Sequence, residues 1–206
     1  MSRTVYFIKT KRLILRCWQN SDAPLLKTAI DESLEHLRPW LPWVGNESKS
    51  LLHYVNQLQH FRCCFDVGHD YTYGVFDSDQ SQVLGGCGLH PRIGNNAYEI
   101  GFWIHKNHTN QGLGTEIAAV LSKVALEVYR AHRVEIHCSS KNVPTVSISK
   151  KLGFAHKLTV PHGLLSSDGN LHNLMVWTLF SDAYTETLGS GNHIKIYDAK
   201  GRAVSF

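Results

Sequence analysis

A chain of 206 residues has the length of one domain, or of one domain with an appendage, and it can bury a hydrophobic core without staples. Its 43% hydrophobic and 18% charged residues are ordinary for a globular protein, and its net charge of +4 suits an anionic cofactor or an acidic acceptor. No Lys/Arg block points to nucleic acid, no apolar run approaches the roughly 20 residues that span a bilayer, and five cysteines without framework spacing read as reduced thiols. The N-terminus carries Lys9, Lys11, Arg12 and Arg16 in place of a signal-peptide core, so a cytoplasmic protein with no membrane partner is expected.

Residues 5–17 are rich in β-branched, aromatic and aliphatic side chains and predict one or two strands. Asn20 or Ser21 can cap a following helix, with Pro24 near its start. Leu25, Leu26, Ala29, Ile30 and Leu34 keep helical spacing to about Leu37. Arg38-Pro39-Trp40-Leu41-Pro42-Trp43 then breaks it, because two prolines cannot sit inside a helix. Ser48 opens a second helix, with Leu51, Leu52, Val55, Leu58 and Phe61 on one face. Strands at about 71–77 and 82–90 flank a turn at Asp77-Ser78-Asp79-Gln80, and another strand covers 97–104.

A glycine-rich loop, Thr109-Asn110-Gln111-Gly112-Leu113-Gly114-Thr115, comes next. Leu113, Ile117, Leu121, Val124, Ala125 and Val128 then mark an amphipathic helix. Val134, Ile136 and Cys138 alternate as in a strand, and a short helix at 143–151 stops before Gly153. Strands are expected at 154–160 and 172–180. From Ser181 to Asn192 the chain turns polar. Ile194 to Tyr197 and Ala203 to Phe206 then flank Asp198-Ala199-Lys200-Gly201 as a candidate β-hairpin. The order of elements predicts an α+β fold, with a domain over 1–182 and an extension over 183–206.

The loop holds the first chemistry. Backbone N–H groups between a strand and a helix start can cradle a phosphate. Thirteen histidines raise the question of a metal. His105 and His108 lie three apart, and His132 and His137 five apart, but none sits in a ligand cluster with Cys or carboxylates. No metal is expected, and solvent-facing imidazoles are the simpler reading. An acyl intermediate on Cys138 would need an activated thiolate, so packing within its strand is simpler there too.

Several motifs in a fixed order carry a resemblance. They are Glu99-Ile100-Gly101-Phe102-Trp103-Ile104, Gln111-Gly112-Leu113-Gly114-Thr115-Glu116, Arg133-Val134-Glu135-Ile136, Asn142, and Lys151-Leu152-Gly153-Phe154. Together the set resembles the GCN5-related N-acetyltransferase (GNAT) superfamily, from about residue 8 to residue 180. Arg12-Leu13-Ile14-Leu15-Arg16 and His36-Leu37-Arg38-Pro39-Trp40-Leu41-Pro42-Trp43 resemble its RimJ/RimL branch of ribosomal-protein acetyltransferases. The resemblance implies a central mixed, mostly antiparallel sheet, splayed between its fourth and fifth strands and flanked by helices. It also implies acetyl-CoA as cosubstrate. The pyrophosphate would lie on Thr109, Asn110, Gln111, Gly112, Leu113, Gly114 and Thr115, and the pantetheine amides along Phe102, Trp103 and Ile104. One departure is Thr109, where the family usually has Arg or Gln; Asn110 is a possible substitute.

Asn142 matches a family Asn that bonds the cofactor, and it would equally cap a helix. Thr145 stands where the branch has a Ser that protonates the leaving thiolate, and Ser149 where other members have a Tyr. Glu99 is a candidate general base or a structural carboxylate. Arg38, Trp40 and Trp43 form a candidate wall of the acceptor pocket, with core packing as the alternative for the tryptophans. The expected activity is direct attack of an amine on acetyl-CoA, the best acceptor being the α-amine of a protein N-terminus, ribosomal proteins being the precedent. A small amine, such as an amino-acid-like compound, an antibiotic or a toxin, is the second reading, and an acyl-CoA sensor without turnover the third. The expected assembly is a monomer or a homodimer.

Overall fold

Thr10 splits the first apolar stretch in two, because its hydroxyl accepts from the Leu13 N–H at 2.9 Å and turns the chain. The computed structural model describes residues 4–166, 169–184 and 194–206. Strands β1 (Phe7–Lys9) and β2 (Ile14–Cys17) therefore pair as a tight antiparallel hairpin. Helices α1 (Ala23–Leu37) and α2 (Leu51–Asp66) follow, joined through a 3-10 turn at Pro42–Val44. Then come β3 (Tyr71–Phe76), β4 (Val83–His90) and β5 (Ala97–Ile104). The second half holds α3 (Leu113–Lys123), β6 (Arg133–Ser139), α4 (Val143–Lys151), β7 (Ala155–Leu165) and β8 (Leu171–Phe180). The hairpin β9 (Lys195–Tyr197) and β10 (Ala203–Val204) completes it.

All the described strands join one sheet in the order β10-β9-β1-β2-β3-β4-β5-β6-β8-β7. Every neighbouring pair is antiparallel except β5 and β6. That parallel pairing covers only Ala97↔Arg133, Tyr98↔Val134 and Glu99↔Glu135. Counted with residues 5–17 as one strand, β5 and β6 are the expected fourth and fifth strands, and here the sheet opens. The fold is α+β, as its order of elements predicts.

Alternation along the strands assigns the two faces. Leu15, Val75, Leu89, Ile100, Val134 and Ile136 pack with Ile117 and Leu121 of α3. Ile14 and Phe76 pack on the other side with Leu26 and Ile30 of α1 and Tyr54 and Leu58 of α2.

Three boundaries differ from the sequence expectation. Helix α2 starts at Leu51, because Ser50 caps it by accepting from the His53 N–H at 3.2 Å, while the Ser48 hydroxyl accepts from Lys27. Its buried line is Tyr54, Leu58 and Phe65, which rotates Leu51 and Leu52 into solvent. The third helix stays α-helical only to Lys123 and widens into a π turn at Val124–Val128, closed by the Tyr129 N–H on the Val124 carbonyl. Strand β7 runs on to Leu165. Most of the polar segment from Ser181 to Asn192 lies outside the described residues.

Candidate active site

The loop before α3 owes its shape to backbone conformation and to two side-chain ties. Asn110 and Gly112 both adopt positive φ, 59° and 77°. Gly112 occupies the N-cap of α3 and has no side chain with which to cap it. The first-turn N–H groups therefore stay available at the positive end of the helix dipole, where an anion is stabilised. Thr109 donates its hydroxyl to the Lys106 carbonyl at 3.0 Å, and the Gln111 amide donates to the Asn107 carbonyl at 3.3 Å.

Arg12, from the β1–β2 turn, reaches this loop. Its Nη1 donates to the Gln111 carbonyl at 3.0 Å, while Nε and Nη2 hold the Glu116 carboxylate. Thr10 donates to the other Glu116 oxygen at 2.6 Å. Leu113 is buried beneath the loop, and Thr115 is half-buried in the first turn. A side chain at Gly114 would stand 2.9 Å from Ile148 Cδ1 and 3.3 Å from the Phe102 ring. Glycine there lets α4 press against β5 and the start of α3.

Strand β5 leads into the loop. Phe102, Trp103 and Ile104 are half-buried, with Phe102 and Ile104 on the α3 face and Trp103 on the α1–α2 face. Beyond Glu99, no strand among the described residues pairs with the edge of β5 that faces β6. That edge offers backbone N–H and C=O groups to an extended, amide-bearing ligand, as an unpaired strand does. Helix dipole and open edge thus meet at the loop, and both suit the phosphates and amides of a coenzyme A arm.

Polar groups gather at the β6-paired end of β5. Arg92 grips Glu99 with two hydrogen bonds of 2.8 and 2.7 Å. His137 Nδ1 lies 3.6 Å from the same carboxylate, and its Nε2 bonds Glu135 at 2.8 Å. Arg133 donates to Glu135 at 2.8 Å. Burial alone would raise the Glu99 carboxyl, but the Arg92 guanidinium, with the His137 and His90 rings, outweighs it and holds the pKa below the usual range. Burial pushes Glu135 the same way, and Arg133 and His137 again reverse the sign. Across the β4–β5 ladder from Glu99 stands His90, whose Nδ1 bonds Asp70 at 2.6 Å.

Asn142 caps α4, its carbonyl oxygen accepting from the Thr145 N–H at 3.2 Å, which is the capping role of its two readings. Thr145 is half-buried in the first turn of that helix, and the buried Ser149 donates to its carbonyl. Arg38, Trp40 and Trp43 all fall in the α1–α2 connection, in the helical layer that Trp103 packs against. Arg38 pairs with Glu35 at 2.9 Å, Trp40 is half-buried, and Trp43 is 46% exposed, so core packing does not hold for Trp43.

Most of the described histidines, His132 among them, are exposed as expected, but His90, His105 and His137 are not. His105 is buried and bonds Glu32 at 3.1 Å, while His90 and His137 sit in the ion-paired cluster. No group of three His, Cys, Asp or Glu among the described residues is arranged to hold a metal ion. The Cys138 thiol is pushed up to about 11 by burial, against an acyl-cysteine. Sequence reasoning missed Arg12, Asp70, His90 and Arg92. The usable signal was cross-strand pairing: one register places His90, Glu99 and Glu135 side by side.

Comparisons with known proteins identify the family and the fold. The acetyltransferase (GNAT) domain family matches residues 12–155. The uncharacterized N-acetyltransferase YnaD of Bacillus subtilis is 26% identical over 95 residues, 44% of this chain and 56% of YnaD. The chain spans about half the length of the curated relatives it matches. A RimL ribosomal-protein alpha-N-acetyltransferase solved with coenzyme A shares the fold with a TM-score of 0.78, over 86% of this chain and 99% of that one, at 19% identity. A ribosomal-protein-alanine acetyltransferase from Vibrio fischeri gives 0.76 over 87% and 98%, at 15% identity.

Proposed function

Because the chain belongs to the acetyltransferase (GNAT) domain family, whose members use acetyl-CoA, we propose that it is an N-acetyltransferase acting on the α-amine of a protein N-terminus. The observation that carries this reading is the meeting of the uncapped α3 N-terminus at Gly112 with the open edge of β5. Acetyl-CoA, when bound, supplies an acetyl thioester. The N–H groups from Gln111 to Thr115 hold its pyrophosphate, and Arg12 fixes their loop from behind. Phe102 to Ile104 bind the pantetheine amides through their backbone. Thr145 returns a proton to the leaving thiolate. Arg38, Trp40 and Trp43 form the acceptor wall, and Trp43 has the exposure that role needs.

The choice of a protein acceptor rests on the fold shared with two ribosomal-protein acetyltransferases over most of both chains. An α-amine has a reference pKa of about 7.7–8.0, against about 10.4 for lysine, so modest base assistance serves it.

The test follows free thiol while the protein is mixed with acetyl-CoA and either N-terminal peptides or small amines. Thiol release with peptides above that with small amines is expected, and none with any amine would sink the enzyme reading. Gly112→Asp puts a side chain beside Arg12 on a residue held at φ 77°, which distorts the cradle, and should weaken coenzyme A binding by about 100-fold or more, a loss of roughly 3 kcal/mol. Unchanged affinity would put the phosphate site elsewhere.

A further inference from the structure

Glu99 is poorly suited to accept a proton. Arg92 occupies both of its oxygens, and a carboxylate held below its ordinary range gives little driving force for proton uptake. A group with a free lone pair stands opposite it. His90 pairs with Glu99 across the β4–β5 ladder, and its side chain is largely enclosed. Asp70 takes the Nδ1 side of the ring at 2.6 Å, which fixes the proton there and leaves Nε2 as acceptor.

The Cε1–Nε2–Cδ2 edge of the ring fills the space over two glycines. A side chain at Gly88 would stand 2.7 Å from Nε2, and one at Gly101 would stand 3.1 Å from it. No bond from Nε2 occurs among the described residues. At the other end of the same strip, the Trp103 indole covers Gly86, where a side chain would meet Nε1 at 2.5 Å. Gly101 comes two residues after Glu99, where the pairing of β5 with β6 stops. Nε2 is therefore presented at the point where the sheet opens, on a floor of backbone without side chains.

Resting on the acetyltransfer reading, we propose that His90, oriented by Asp70, is the general base that takes the proton from the attacking amine. The amine nitrogen forms its bond to the acetyl carbonyl carbon as one N–H proton passes to His90 Nε2. The carbon–sulfur bond breaks, and its electron pair leaves on the thiolate, which takes a proton through the Thr145 hydroxyl as that hydroxyl takes one from solvent. The proton on His90 then returns to solvent, and the sum is amide plus free thiol. Asp70 stabilises the imidazolium, as a carboxylate behind a histidine does in other transfer sites. The charged or titratable groups facing His90 are Asp70 just before β3, Glu99 with its Arg92 from β5 and the hairpin before it, and His137 beyond Glu99 on β6. The acceptor attacks as the neutral amine, so the one proton that His90 takes is the one released as the amide forms.

The experiment compares wild type, His90→Gln and Asp70→Asn. Peptide acetylation is followed from pH 5 to 9 by about ten profile points, and coenzyme A binding is measured by calorimetry. His90→Gln is expected to lower kcat by about 100-fold while KM and coenzyme A affinity stay within about twofold, and its kcat loses the ascending limb that wild type shows. Asp70→Asn keeps the ring but removes a negative charge beside it. Its limb should move to lower pH, with kcat down by about 10-fold. Nitrogen NMR of the protein without acetyl-CoA should show His90 protonated on Nδ1, and a mixture of tautomers in Asp70→Asn. Wild-type turnover with an unchanged limb in His90→Gln would overturn the assignment. If that variant does not fold, an unmoved limb in Asp70→Asn overturns it equally. Absence of turnover in wild type would instead remove the acetyltransfer reading itself.

Discussion

Glu99 shows how a residue's chemistry depends on partners that spacing does not name. Read along the chain it is a carboxylate in a strand, open to a catalytic or a structural role. Arg92 stands seven residues earlier on the far side of a turn, and only the fold brings the two together. Burial opposes its charge and the guanidinium outweighs burial, so its folded pKa lies below its unfolded one. Folding therefore favours the ionised form. That stabilisation is complete above the unfolded value of about 4.3 and is lost as pH falls through the lowered folded value. Glu99→Gln should thus show a shallower loss of stability than wild type below about pH 5, measured by urea unfolding across pH. Coincident acid limbs would mean the ion pair adds nothing. His90 and His105 were misread for the same reason, since their carboxylate partners, Asp70 and Glu32, lie 20 and 73 residues away along the chain.

At the scale of elements, the helix after β6 was legible because its signals are local. Asn142 before Val143-Pro144 and Gly153 at its end are start and stop marks, and both stand where they were read. The Asn142 carbonyl holds the Thr145 N–H, fixing the turn that carries the proposed proton donor. Asn142→Ala should cost about 1 kcal/mol, or about 2–4 °C in Tm for a chain of this size. Asn142→Asp keeps the acceptor oxygen and should keep the wild-type Tm. Equal melting of the alanine variant would show that the cap contributes nothing. By contrast, the rotated face of α2 could not be read, because Leu51 and Leu52 fit the apolar period equally well until Ser50 sets the first turn.

For the whole molecule, the order of elements was enough for the class, and the family resemblance for the splay between β5 and β6, but neither placed the final hairpin. Strand β9 pairs with β1, Ile8 facing Ile196, and so extends the sheet. Ile196 is 2% exposed and shares a core with Val5, Ile8 and Tyr73. Ile196→Asp should cost about 3 kcal/mol or more, because a charge enters that core without a partner. Lys195→Thr, on the exposed side of the same strand, should stay within about 0.5 kcal/mol. Urea unfolding of the two variants separates an integral strand from a loosely attached one.

The closure of β9 on β1 also orders events in time. Phe7 meets Tyr197, residues nearly the full chain apart, whereas β3, β4 and β5 pair through short connections. Contacts between distant residues form slowly, since a long loop must close before they form. The sheet therefore zips outward from its hairpins, and one rim waits for a strand recruited from far along the chain. Until that strand arrives, β1 presents bare backbone to any passing chain. Crowded, fast-refolding conditions are where this protein is most exposed to self-association.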